Sequence, residues 1–249
     1  GIISAIQGSG EMTLDNSGEI GEISAETMTL RNSGNISSAS DDATISGQKL
    51  DIVNSGEILN TVNQAIRADQ LNLTNSERIE GNGDYAVSVG SQGTIVNTET
   101  GVIKGNRYGI KAEYADTELR VENRGSIIGV HGADSAIDAK NLEIINSGSI
   151  TSESEQAAIT GDQVSLTNTG NLETDNSAIH AGSLTLDNQS AIRSRETNAL
   201  EIENGAKIVN RADGSISGKL AAVKGGESSR IDLENEGTIR GEHLAVIGG

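Results

Sequence analysis

Residues 14–20 read Leu-Asp-Asn-Ser-Gly-Glu-Ile, and this phrase returns along the whole chain. Its asparagines are Asn16, Asn32, Asn54, Asn75, Asn97, Asn123, Asn146, Asn168, Asn188, Asn210 and Asn235. They lie 16, 22, 21, 22, 26, 23, 22, 20, 22 and 25 residues apart. Self-similarity at such a period marks a repeat architecture. Two residues before each Asn stands an aliphatic side chain, from Leu14 and Leu30 to Ile208 and Leu233. Four before, it is aliphatic or Met in nine of eleven copies, with Gly93 and Ala206 the weak ones. The residue between is mostly polar, as at Thr13, Asp51, Arg120 and Lys207. That alternation predicts a short strand with one buried face.

After the Asn comes Gly and then an aliphatic residue, as in Gly18 and Ile20, Gly56 and Ile58, or Gly148 and Ile150. Asn and Gly tolerate left-handed backbone, so this predicts a tight corner with the Ile opening a second strand. A third element, small residue then aliphatic, sits midway. It occurs at Ala65-Ile66, Ala86-Val87, Gly109-Ile110, Ala158-Ile159 and Ala222-Val223, among others. The 16-residue interval from Asn16 to Asn32 is expected to lack it. Three short strands per period of about 22 residues predict an all-β chain: a right-handed parallel β-helix of about eleven coils. Residues 1–249 form one solenoid domain on this reading. At ~4.8 Å per coil the rod is on the order of 50 Å long.

The composition agrees with that fold. There is no Pro, Cys, Phe or Trp, and there are three Tyr. A Pro inside a strand paired on both sides would delete a ladder hydrogen bond. A narrow core repeated coil after coil favours Ile, Leu and Val over rings. Stacked, the recurrent Asn can form an amide ladder, each side chain bonding the next coil. The absence of Cys excludes disulfides and Cys-ligated zinc. A net charge of −18 argues against duplex nucleic acid and anionic membranes as partners. No uncharged apolar stretch approaches the roughly 20 residues that span a bilayer.

Catalytic patterns are sparse. His131, His180 and His243 form no metal-ligand motif, and His180, following inward Ile179, is expected to face solvent. His131 lies three residues before Asp134, but no nucleophile-elbow sequence completes a hydrolytic triad. Acidic pairs stand at Asp41-Asp42 and at Glu153 and Glu155. They read as a solvated acidic face rather than the opposed carboxylates of a glycosidase. Thr occupies the exposed position three before the Asn in four of eleven copies (Thr13, Thr29, Thr94, Thr185), too few for a flat ice-binding array. No cofactor or metal is expected.

One region differs. All three tyrosines fall between Tyr85 and Tyr114, with Arg107, Lys111, Arg120 and Arg124 nearby in sequence. Tyr85 and Tyr108 share a repeat position in adjacent coils and should stack. Tyr and Arg are enriched at binding hot spots, which makes Tyr108, Tyr114, Arg107 and Arg124 the candidate binding residues. Residues 80–84, 113–118, 128–134 and 151–156 are the candidate contact loops, since insertions there spare the core.

Strings such as I-V-N-T-E-T-G-V-I-K-G and I-I-N-S-G-S-I-T-S resemble the N-x-G-x-I repeats of bacterial autotransporter passenger domains. M-T-L-D-N-S-G-E-I is also similar to the repeats of filamentous-haemagglutinin-type exoproteins of two-partner secretion. The resemblance covers essentially the whole chain. It implies export to a Gram-negative cell surface and a role in adhesion, aggregation or toxin delivery. The partner it implies is a surface protein or glycan of a host or neighbouring cell. Lack of Cys suits a chain that crosses the outer membrane unfolded. The serine-protease motif of some passengers is absent, so the chain is read as a non-enzyme, a polysaccharide lyase or hydrolase being the alternative. The chain begins at Gly1 and starts and ends mid-coil. This is expected of a piece of a longer passenger or of subunits that stack end to end into a fibre, and self-association end to end or side by side is the other partnership expected.

Overall fold

The computed structural model describes residues 2–130, 134–153 and 155–248, and these form strands and connections with no helix. One repeat shows how the sequence builds a coil. In strand Ile45–Asn54, Leu50, Ile52 and Asn54 point inward while Lys49, Asp51 and Val53 face out. The chain turns at Gly56 and enters strand Glu57–Asn60, where Ile58 and Asn60 are buried. It turns again and returns as strand Ile66–Asn75, directly alongside Ile45–Asn54. The pairings are parallel and in register: Ile45 with Ile66, Leu50 with Leu71, Ile52 with Leu73 and Asn54 with Asn75. Repetition of this closure gives a parallel β-solenoid of about ten turns.

Two of the three expected strands run together. The third and first elements fuse into one bent strand, as in Ile66–Asn75, Ile159–Asn168 and Ile179–Asn188. They separate where residues intervene, as between Tyr108–Ala112 and Glu118–Asn123. Nor does the Asn16–Asn32 interval lack the third element. Ile23 pairs with Ile6 on one side and Ile45 on the other, and it is fully buried. Glu22 replaces the usual small residue before it, which hid the match. What this coil omits is the connection, because Ile20 and Ile23 follow one another within strand Glu19–Asn32.

The core is one continuous cluster of Ile, Leu, Val and Ala with Met28. Each fully buried Ile or Leu stabilises the fold by about 1.5–3 kcal/mol. Beside it runs the amide ladder. Asn16 Nδ2 donates to Asn32 Oδ1 at 2.8 Å, and nine more steps carry the bond to Asn235 at 2.7–2.9 Å. The same amides close the corner. Asn54 Nδ2 also donates to the Gly56 carbonyl at 2.8 Å, and Gly18 N–H donates to Asn16 Oδ1 at 3.0 Å. Most rungs are fully buried, so each amide needs these partners to offset its lost hydration.

The corner glycines have a different reason from the one expected. No described glycine has a φ between +20° and +160°. Instead the coils approach too closely for a side chain. A Cβ on Gly34 would lie 2.2 Å from the Gly18 carbonyl oxygen, and one on Gly56 would lie 2.1 Å from that of Gly34. Contact between stacked turns, rather than left-handed backbone, selects glycine here.

Candidate functional site

Tyr85 and Tyr108 do meet in adjacent coils, with ring centroids 5.4 Å apart. The rings are tilted by 53° rather than stacked face to face. Arg107 precedes the strand and spans three coils. Its Nη1 donates to Asp84 Oδ1 at 3.0 Å, and its Nε donates to Asp134. Lys111 Nζ lies 4.5 Å from the Tyr108 ring centroid and pairs with Asp138. Burial first, and then interaction with the Asp134 carboxylate, raise the Tyr108 pKa. Asp134 is pushed up by burial, but interactions with Arg107 and Tyr108 outweigh this and hold it below the ordinary carboxylate value. Three carboxylates thus face two cations across a tyrosine pair. Both cations are already engaged, so the cluster works as a clasp between coils. Asp84 and Asp138 were not singled out from sequence, and Asp134 was read only beside His131, because their role in the clasp depends on which coil stacks on which.

The structure does not gather the four candidate binding residues. Tyr108 and Arg107 belong to the clasp. Tyr114 lies beyond the end of Tyr108–Ala112, in the connection to the next strand, and is 58% exposed. Buried Thr117 anchors that connection by bonding the Gly90 carbonyl. There Tyr114 edges a recess of about 270 Å³ with Arg67, Asp69 and Glu113. Arg124 sits at the corner after Asn123 and is held by Glu122, with Nε–Oε1 at 3.0 Å. Arg120 pairs with Glu143 on the face of strand Glu118–Asn123. Neither arginine touches a tyrosine.

The expected loops shrink in the same way. Glu80 belongs to strand Arg78–Gly81, is buried, and bridges Arg78 and Lys104. Ile128 and Gly129 end strand Ser126–Gly129, and Glu118 opens another. His131 and residues 132 and 133 of loop 128–134, and residue 154 of loop 151–156, lie outside the described residues. His180 faces outward as expected and meets Glu203 at 3.1 Å.

A further concavity lies elsewhere, on the outer face of the strands that carry the ladder. It is a groove of about 610 Å³ running along five successive coils. Its walls are the side chains five and three residues before each ladder Asn, from Gln92 and Thr94 at one end to Ser183 and Thr185 at the other. The floor is the backbone of Gly93, which has no side chain, and of Leu119, Leu142, Val164 and Leu184, whose side chains turn into the core. Register aligns the walls: Gln92, Glu118, Asn141 and Gln163 follow one another coil by coil. Period-two alternation identifies these residues as outward. It does not reveal that two outward columns enclose a groove.

Among the described residues no helix is long and apolar enough to cross a membrane. No protein-family model matches the chain, and searches of curated proteins and of solved structures find no similar protein.

Proposed function

We propose that this chain is a secreted structural and adhesive module of a bacterial cell surface, a stiff solenoid that presents its outer face and corners to a host or neighbouring cell. The observation that carries this reading is the unbroken ladder of ten amide bonds beside one aliphatic core. Such a scaffold holds surface positions at fixed spacing along an axis while leaving their side chains free to vary. The resemblance of the N-x-G-x-I repeats to those of exported passenger domains supports the cell-surface setting. On this reading no residue has a catalytic role.

The test is adherence. Bacteria displaying the chain should bind target cells or aggregate, and display of a version lacking the coils from Asn75 to Asn168 should lose most of that binding. Equal adherence with and without those coils would overturn the reading.

A further inference from the structure

The 610 Å³ groove carries chemistry that neither the tyrosine clasp nor the corners share. One wall presents the amides of Gln92, Asn141 and Gln163, and the facing wall presents the hydroxyls of Thr94, Ser165 and Thr185. All are solvent-facing. Amides and hydroxyls both donate and accept hydrogen bonds. They suit a ligand whose own groups do both, as hydroxyls do.

Charge narrows the ligand further. Arg120 is engaged by Glu143 one coil away, so the charge pair in the groove neutralises itself. Glu118 remains as an exposed carboxylate, within a chain of net charge −18. A polyanion, whether nucleic acid or an acidic glycan, meets repulsion here.

Geometry excludes a polypeptide strand. The wall side chains recur once per coil, at about 4.8 Å, whereas same-face side chains of an extended peptide recur at roughly 6.7 Å. The strands beneath the groove are also paired on both sides: Glu118–Asn123 lies between Tyr85–Asn97 and Asn141–Asn146. They have no free edge for an added strand. The floor side chains are buried, so an apolar anchor finds no hole.

We propose that this groove binds a linear, neutral polysaccharide lying along the solenoid axis, its hydroxyls bonded by the amide wall and the hydroxyl wall in successive coils. The proposal rests on the adhesive reading above and assigns that adhesion to a chemical class of ligand and a place. It also moves the contact away from Tyr114 and Arg124.

Calorimetric titration of the 249-residue chain with β-1,4-linked hexasaccharides of glucose, mannose and xylose tests it, with a heparin hexasaccharide as charged control. At least one neutral oligomer is expected to bind and the heparin oligomer to give no heat. The double substitution Gln163→Glu and Ser165→Glu should weaken binding about tenfold or more, and Thr94→Ala should weaken it by a smaller factor. Both changes point outward, and an unaltered circular dichroism spectrum would confirm that the fold is kept. Tyr114→Ala should leave affinity within about twofold. Failure of all three neutral oligomers to titrate at millimolar concentration would overturn the proposal. So would tighter binding of heparin, or wild-type affinity in the folded double variant. The same double variant, displayed on cells, separates the two readings: if it adheres normally, the groove assignment fails while the adhesive reading stands.

Discussion

The coil from Asn16 to Asn32 takes 16 residues, and the coil from Asn97 to Asn123 takes 26. Their interiors are equivalent. Register places Ile20, Ile23, Met28 and Leu30 of the short coil in line with Ile103, Ile110, Leu119 and Val121 of the long one. The ladder bond is 2.8 Å in one and 2.9 Å in the other. The ten extra residues (26 − 16) divide as two at the Asn corner, four between Ile103 and Ile110, and four between Ala112 and Leu119. Only the core positions are specified, and the corners absorb length. The tyrosine clasp and the Tyr114 recess both lie where the long coil departs from the short one.

The ladder should be equally indispensable in both coils. Asn123→Leu and Asn32→Leu each leave a buried amide donor and an acceptor unmatched, at about 1–3 kcal/mol apiece. Denaturant unfolding should show losses of roughly 3 kcal/mol or more at both sites. A loss in only one would mean that the two interiors differ. Gly21→Ala sharpens the contrast from the short side. Its Cβ would fall 2.0 Å from the Ser4 carbonyl oxygen, because this coil has no connection to yield. Thermal unfolding should register a cost of about 1–3 kcal/mol. Inserting Gly-Ser after Ala115 in the long coil should cost no more than ~0.6 kcal/mol, the price of modest loop lengthening. If the insertion proved as damaging as Gly21→Ala, the corners would not be the tolerant parts.

The clasp makes the long coil sensitive to pH. The folded pKa of Asp134 is depressed, so its contribution is present above the usual carboxylate value near 4 and is lost as pH falls through the lower folded value. Tyr108 has a raised folded pKa, so its contribution holds below about pH 10 and is lost as pH rises through the folded value. Arg107 is 45% exposed, so solvent screening keeps the acid effect to about 1 kcal/mol or less. Asp134→Asn should flatten the acid slope of stability, and tyrosinate absorbance should show Tyr108 ionising late. An unchanged acid slope would remove Asp134 from the clasp. The smallest effect is expected at Arg124→Ala. This side chain is 48% exposed and held only by surface carboxylates, so the melting temperature should not move measurably.

Much of this was legible in the residues alone. The eleven asparagines, the aliphatics two and four before them and the corner Ile fix which side chains face the core, since alternation along a strand is a local property. The third element in the short coil was missed because Glu22 breaks the small-residue pattern, although Ile23 keeps its place in the stack. The candidate site was less legible. Nearness in sequence grouped Arg120 and Arg124 with the tyrosines, yet a corner and a strand separate them from Tyr108. The groove spans residues 92 to 185 and exists only once five coils are laid side by side.

By itself the sequence determined the repeat, the buried face and the ladder, because period and side-chain polarity dictate them one coil at a time. The tertiary structure decided what coils do to one another. It showed that glycine is needed for contact between turns, that Arg107 closes a clasp onto Asp84 and Asp134, and that two outward columns form a groove. These depend on distances between residues more than 20 positions apart, which only the stacking of one coil on the next brings together.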